Sequence, residues 1–211
     1  IELNLKQYIN KLTVISDIFD YEHYCDEYIN YNTDDFNLVK KINQNKNCIL
    51  KIGIDNIIIN KNFKQIKKTN FRKNIKKICI MMGGSDPYNY TLHIIEKINH
   101  FIILNNLIVF IIIGKSNNNF ESINNFVKNN KNYNIKFDLN YDELINLYLD
   151  IDLCIGSLSI TAYERLYMNI PQICLKIVEN QNIQQLKEFN ICNLDNILDI
   201  ILLSTRKINK S

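Results

Sequence analysis

The sequence predicts an α/β fold, a doubly wound parallel sheet of Rossmann-like type. Three observations carry that prediction. From about Ile75 onward, short apolar runs alternate with longer amphipathic segments, which is the strand–helix order of a parallel sheet. The short runs are apolar at successive positions rather than at every second one, as in strands covered on both faces. Two of them end in glycine- or hydroxyl-rich turns, Met82-Gly83-Gly84-Ser85-Asp86-Pro87 and Gly156-Ser157-Leu158-Ser159-Ile160-Thr161. In sheets of this type ligands sit at the carboxyl ends of strands, where such turns fall.

Each element follows from its pattern. Ile78 to Met82 reads as a strand. Tyr88 to Leu104 reads as a helix, with Leu92, Ile95, Ile98 and Ile102 on one face and Pro87 in its first turn. The β-branched run Leu107 to Ile113 is a strand ending at Gly114, and Phe120 to Asn129 a helix. Ile135 to Leu139 is a strand, followed by a helix over Tyr141 to Leu149 whose first turn holds Asp142 and Glu143, where they suit the dipole. Leu153 to Ile155, Thr161 to Met168, Pro171 to Ile177, Gln181 to Phe189 and Leu194 to Leu203 continue as strand, helix, strand, helix, helix. Before Ile75 only Leu12 to Ile18 and Glu27 to Asn32 read as strands. The expected organisation is the end of one domain over residues 1–48, a connection over 49–75 and a complete domain over 76–211.

A chain of 211 residues has room for one full domain and part of another, and 46% hydrophobic content supports a core. The net charge of +3 does not by itself point to nucleic acid. No apolar run reaches the length of a membrane span, and the N-terminus lacks the plan of a signal peptide. The chain starts at Ile1 without Met, so a processed or partial product is expected. The excess of Asn, Ile and Lys reads as the drift of an AT-rich genome. Cys25, Cys48, Cys79, Cys154, Cys174 and Cys192 form no CxxC pair. Free core thiols in a cytoplasmic protein are therefore expected, with Cys79, Cys154 and Cys174 inside buried strands. The three His have no ligand spacing, so no metal and no cofactor is expected. Lys61 to Lys77 carries eight Lys or Arg and no acid. It reads as a solvated connection, or alternatively as a basic patch interleaved by Phe63 and Phe71.

The two turns carry the candidate chemistry. Gly83 and Gly84 let the backbone approach an anion closely, and the N–H groups of the following helix can face it. Ser85 and Asp86 complete that turn. In the second turn Ser157, Ser159 and Thr161 offer hydroxyls at a helix start, and Glu164 lies one turn in, where a carboxylate can accept from both hydroxyls of a ribose. The alternative is a capping box, since Thr161-Ala162-Tyr163-Glu164 fits T-x-x-E. Gly114-Lys115-Ser116 either lines a base or phosphate pocket or is an ordinary turn. Glu179-Asn180-Gln181 either bonds sugar hydroxyls or caps the next helix.

In order along the chain, these residues resemble one family: Gly83-Gly84-Ser85-Asp86-Pro87, the Gly114 turn, Thr161 to Glu164 with Met168-Asn169-Ile170-Pro171, and Glu179-Asn180-Gln181. The family is the UDP-2,4-diacetamido-2,4,6-trideoxy-β-L-altropyranose hydrolases of pseudaminic acid biosynthesis, relatives of the family 28 glycosyltransferases with a GT-B fold. Val14-Ile15-Ser16-Asp17-Ile18, Asp20, His23-Tyr24-Cys25-Asp26, Asn30 and Asn32 resemble the end of that family's N-terminal domain.

The resemblance implies a metal-independent hydrolase that releases UDP from a diacetamido-trideoxy-hexose. Gly84, Ser85, Asp86, Gly114, Ser157, Ser159, Thr161, Glu164, Asn180 and Gln181 would bind the UDP-sugar. Glu164 would hold the ribose, and Asn180 and Gln181 would touch the sugar side. The family's catalytic His and nearby Arg would lie upstream of Ile1, so no catalytic residue is assigned here, and a separate chain carrying that domain is an implied partner. A UDP-sugar glycosyltransferase or a non-catalytic subunit of a split enzyme fits the same motifs. Leu158 and Ser159 stand where the family has two glycines, and Ile160 where it has a hydroxyl. These departures predict weaker phosphate binding if the glycines serve positive φ or close approach.

Overall fold

The computed structural model describes residues 1–16, 21–175, 177 and 190–208. The chain divides into two compact units, the first built from Ile1–Ile58 and the second beginning at Ile59.

The first unit opens with the short helix α1 (Glu2–Leu5) and holds a three-stranded parallel sheet of β1 (Thr13–Ile15), β2 (Glu27–Asn30) and β3 (Ile49–Ile52) in the order β1-β2-β3. Helix α2 (Phe36–Ile42) crosses between β2 and β3, capped by the Asp35 carboxylate, which accepts from the Leu38 N–H. Cys25, Tyr28 and Val39 form its core. A strand at β3 corrects the reading of residues 49–75 as a connection. Its side chains are alternately exposed and half-buried, a weaker signal than a continuous apolar run.

From Ile59 onward that expected connection belongs to the second unit. Helix α3 (Lys61–Gln65) buries Phe63 in that unit's core. The Lys68 N–H donates to the Met168 carbonyl at 2.8 Å, and the Lys68 ammonium to the Leu149 carbonyl. Arg72 bridges Asp150 and Asp152, Lys77 pairs with Asp150, and Lys64 and Lys67 lie over the Tyr167 ring. Much of the basic run is therefore spent on the unit's own carbonyls, carboxylates and one aromatic ring.

The second unit holds a six-stranded, all-parallel sheet of β4 (Lys77–Met81), β5 (Ile108–Ile113), β6 (Tyr133–Phe137), β7 (Leu153–Ser157), β8 (Gln172–Leu175) and β9 (Asn190–Cys192), in the order β6-β5-β4-β7-β8-β9. Successive side chains alternate between two filled faces. Ile78, Ile80, Val109, Ile111 and Ile155 pack with α4 (Tyr90–Leu104), α5 (Phe120–Val127) and α8 (Ile197–Ile208). Cys79, Ile112 and Cys154 pack with Phe63 and with Leu144, Ile145 and Tyr148 of α6 (Tyr141–Asp150). Parallel order with both faces covered matches the fold class read from the apolar runs. Cys79, Cys154 and Cys174 are buried inside strands, as expected. No helix among the described residues is long and apolar enough to cross a membrane.

The chain winds from β4 outward through β5 to β6, then returns to lay β7 on the other side of β4. The turns after β4 and β7 therefore leave neighbouring strands toward opposite sides, and a crevice opens between them at the carboxyl edge of the sheet.

Candidate functional site

The first wall of the crevice is the turn after β4. Gly83 has φ +92°, a conformation that side chains rarely adopt, and a Cβ placed there would lie 3.8 Å from Ser157 Oγ on the opposite wall. Gly84 is exposed, and a Cβ there would meet nothing within 4 Å. The backbone is thus bare where a ligand would approach. Ser85 is exposed beside it.

Asp86 has a different place from the one expected. It is buried, in the left-handed region at φ +42°, and its two carboxylate oxygens accept from the N–H groups of Tyr90 and Thr91 at 2.9 Å each. It therefore occupies the N-terminus of α4 that was expected to face an anion. Pro87 is also displaced from its expected position. It sits in the turn closed by the Asn89 N–H on the Asp86 carbonyl at 3.0 Å, and α4 begins only at Tyr90. What this turn presents to a ligand is the Gly84–Ser85 backbone, not the helix end.

Gly114 ends β5 and supports that backbone. A Cβ on Gly114 would stand 2.7 Å from both Cα and the carbonyl oxygen of Gly84, so the two main chains touch. The Asn119 side-chain amide donates to the Asp86 carbonyl at 2.8 Å and ties the same two turns together. Gly114 therefore acts from behind the β4 turn.

The second wall follows β7. Helix α7 (Ile160–Tyr167) starts at Ser159, not Thr161, and no Thr161–Glu164 capping box forms. The three hydroxyls form a ladder instead: Ser157 Oγ to Ser159 Oγ at 3.1 Å, and Ser159 Oγ to Thr161 Oγ1 at 3.0 Å. Ser157 is buried, whereas Ser159 and Thr161 are half-buried. Neither Leu158 nor Ser159 has positive φ; Ser159 sits at φ −135°. Leu158 and Ser159 therefore carry no backbone strain. Leu158 is turned inward, with its N–H on the Leu175 carbonyl at 3.3 Å.

Glu164 lies one turn into α7 and is buried; its main-chain carbonyl accepts from the Met168 N–H at 3.1 Å, and no described residue donates to its carboxylate. Burial pushes its pKa up to about 7 from an ordinary 4.5, against the pull of the adjacent Arg165 guanidinium. A buried carboxylate without donors is poised to accept from a ligand that brings them.

Arg165 was not singled out in the sequence. Its side chain is fully buried, donating to Gln172 Oε1 at 2.8 Å, Thr161 Oγ1 at 3.2 Å and the Ser157 carbonyl at 3.4 Å. Room for it comes from Gly156, where a Cβ would stand 2.8 Å from Arg165 Nη2 and 2.8 Å from the Met81 carbonyl. A glycine inside an otherwise apolar strand was the available signal of such a close approach.

The turn after β4 and the hydroxyl ladder after β7 thus approach each other at Gly83 and Ser157, with Gly114 and Asp86 as supports of the first turn. Asn180 and Gln181 lie outside the described residues. Of the segment resembling the end of the N-terminal domain, Cys25, Asn30 and most of the His23 ring lie in the interior of the first unit. His23 Nδ1 lies 2.8 Å from Glu2, Lys6 pairs with Asp26, and the Asn43 amide donates to the sulfurs of Cys25 and Cys48.

No family model matches the chain. An uncharacterized protein of Methanocaldococcus jannaschii is 30% identical over 124 residues, which are 56% of this chain and 25% of that protein. The chain thus spans about a quarter of the length of this curated relative. Among solved structures, UDP-GlcNAc 2-epimerase from Methanocaldococcus jannaschii superposes with TM-score 0.54 at 12% identity, covering 95% of this chain and 71% of the other. TarM gives TM-score 0.55 at 16% identity, covering 88% and 37%. The pneumococcal O-GlcNAc transferase GtfA, in complex with UDP and GlcNAc, gives 0.50 at 16% identity, covering 88% and 38%. At these identities the likeness is one of fold alone, a parallel, Rossmann-like α/β architecture.

Proposed function

We propose that this chain carries the nucleotide-sugar-binding half of a UDP-sugar enzyme of GT-B type, and that its activity is hydrolytic release of UDP from a diacetamido-trideoxy-hexose. The observation that carries the reading is the crevice between β4 and β7. One wall is bare backbone at Gly84, the other is the hydroxyl ladder of Ser157, Ser159 and Thr161, and Glu164, a buried residue, offers a carboxylate one helical turn away.

Those groups match the parts of a nucleoside diphosphate. Main-chain N–H groups and hydroxyls suit phosphate oxygens, and the carboxylate suits a ribose diol. In the hydrolysis a water oxygen bonds to the anomeric carbon, the bond from that carbon to the diphosphate oxygen breaks, and UDP leaves with the electron pair. The groups described here bind and orient the leaving group. The attacking water would be activated by residues of a second domain or chain.

A UDP-sugar transferase uses the same half-site, and the solved structure of the O-GlcNAc transferase with UDP and GlcNAc supports keeping that reading. The two are separated by incubating the protein with the UDP-sugar and no acceptor. Release of free sugar with UDP supports the hydrolase, and release only when an acceptor is added supports the transferase.

Binding itself is tested by calorimetric titration with UDP, with AMP as control. Selective UDP binding that Glu164→Ala abolishes, with an unchanged circular dichroism spectrum, is the expected outcome. Equal affinity for UDP and AMP, or unchanged affinity in Glu164→Ala, would overturn the assignment.

A further inference from the structure

The guanidinium of Arg165 is fully buried, and among the described residues no carboxylate oxygen lies within ion-pair distance of it. A guanidinium carries only donors and stays protonated in a protein. Thr161 Oγ1, 3.2 Å from Nη1, must therefore accept from Arg165. The Thr161 proton then has one acceptor among the described residues, Ser159 Oγ at 3.0 Å. Ser159 also lies 3.1 Å from Ser157 Oγ, and a hydroxyl oxygen can accept twice while donating once. The Thr161–Ser159 step of the ladder consequently has a direction imposed by Arg165.

We propose that Arg165 is a positioning residue of the crevice. It fixes Thr161 as a donor to Ser159, and Ser159, accepting from Thr161 and Ser157, gives its own proton to a phosphate oxygen of the ligand. A hydroxyl that accepts two hydrogen bonds is polarised into a better donor. The buried positive charge, unmatched by a carboxylate, adds a field that favours an anion in the same crevice. Ser159 is the half-buried member of the pair, so its proton is the one a ligand can reach. The inference rests on the UDP-sugar reading for the identity of the ligand, but its chemistry needs only a phosphate.

The test is calorimetric binding of UDP, inorganic diphosphate and uridine to the wild-type protein, Thr161→Val, Thr161→Ser, Arg165→Lys and the Thr161→Val/Arg165→Lys double variant. Thermal melting verifies that each is folded. Thr161→Val is expected to lower affinity for UDP and inorganic diphosphate about tenfold, the size of one hydrogen bond to a charged group. Thr161→Ser should restore it, and uridine should not change. In the Arg165→Lys background Thr161→Val should have a smaller effect, because the shorter, unforked side chain no longer reaches Gln172, Thr161 and the Ser157 carbonyl together.

Wild-type affinity in Thr161→Val, a Thr161→Ser as weak as Thr161→Val, or an equal loss for uridine would overturn the proposal. So would an undiminished Thr161→Val effect in the Arg165→Lys background. If Arg165→Lys does not fold, the Thr161 pair decides alone, since both leave the guanidinium in place. Wild-type protein that binds diphosphate but not UDP would overturn the nucleotide reading and leave this inference standing. Binding of neither would overturn both.

Discussion

Gly114 and Gly84 touch through their main chains: a Cβ on Gly114 would stand 2.7 Å from the Gly84 Cα and 2.7 Å from its carbonyl oxygen. One glycine is needed behind the β4 turn so that the other can present bare backbone in front of it. The two substitutions are therefore expected to separate stability from binding. Gly114→Ala forces main chain against main chain and should destabilise by about 1–3 kcal/mol, as overpacking does. Gly84→Ala meets nothing within 4 Å and should change stability by less than about 0.5 kcal/mol. It nevertheless places a methyl group in the crevice and should weaken UDP binding about tenfold or more. Denaturant unfolding and calorimetry on both variants check this.

Glu164 makes the fold less stable at alkaline pH. Its pKa is raised by burial to about 7 in the folded protein, from 4.5. The folded chain therefore holds a proton that the unfolded chain has already released. Stability is highest below the ordinary carboxylate range and falls as pH rises through about 7. Glu164→Gln removes that ionisation and keeps the shape. It should melt above the wild type at pH 8 and together with it at pH 4. Melting curves at the two pH values check the sign.

Asp86 holds the start of α4. Its carboxylate accepts from the Tyr90 and Thr91 N–H groups, and Asp86→Ala would leave those donors without it. The loss should be about 1–2 kcal/mol, the upper range for a helix cap. Asp86→Asn, which keeps one acceptor oxygen, should recover part of it. The midpoint of urea unfolding is the measurement.

Cys48, Cys174 and Cys192 should react slowly in the folded protein. Burial pushes the Cys48 thiol up to about 12, and the neighbouring Cys25 adds to it. Burial likewise pushes Cys192 up to about 12 and Cys174 up to about 11. Thiolate, not thiol, is the nucleophile. Alkylation followed by mass spectrometry at pH 8 should be slow until denaturant is added, and then complete at all six. Rapid labelling of Cys48 in the native protein would contradict its placement against Asn43 and Cys25.

The strands of the second sheet were legible because nearly every position along them is buried. The runs at Ile78, Leu107 and Leu153 leave no polar face, and the structure places β4, β5 and β7 there within a residue or two. β9 was missed because Asn190–Cys192 is three residues long, with one side chain buried. β3 was missed because its alternation is weak.

In the site the residue types were legible and their partners were not. Asp86 reads as part of a ligand turn until its carboxylate is seen on α4. Thr161 reads as a cap until its oxygen is seen on Arg165. Hydroxyls and short carboxylates serve ligands and helix ends with the same atoms, and only position distinguishes the two.

The strand order also fixes when the crevice can exist. Its walls come from residues 82–86 and 157–165, and they meet only when β7 pairs with β4. Pairing between strands so distant in the chain carries a large loop-closure entropy and is slow to form. The seam of Ile78, Cys79, Ile80 and Met81 with Leu153, Cys154, Ile155 and Gly156 is thus a late step of folding, and until it forms β4 has an open edge. A ligand that grips both walls binds only molecules that have completed that step. It would act as a clamp on the slowest contact of the sheet, and amide hydrogen exchange along β4 and β7 would slow more than along β5 and β6 when it binds.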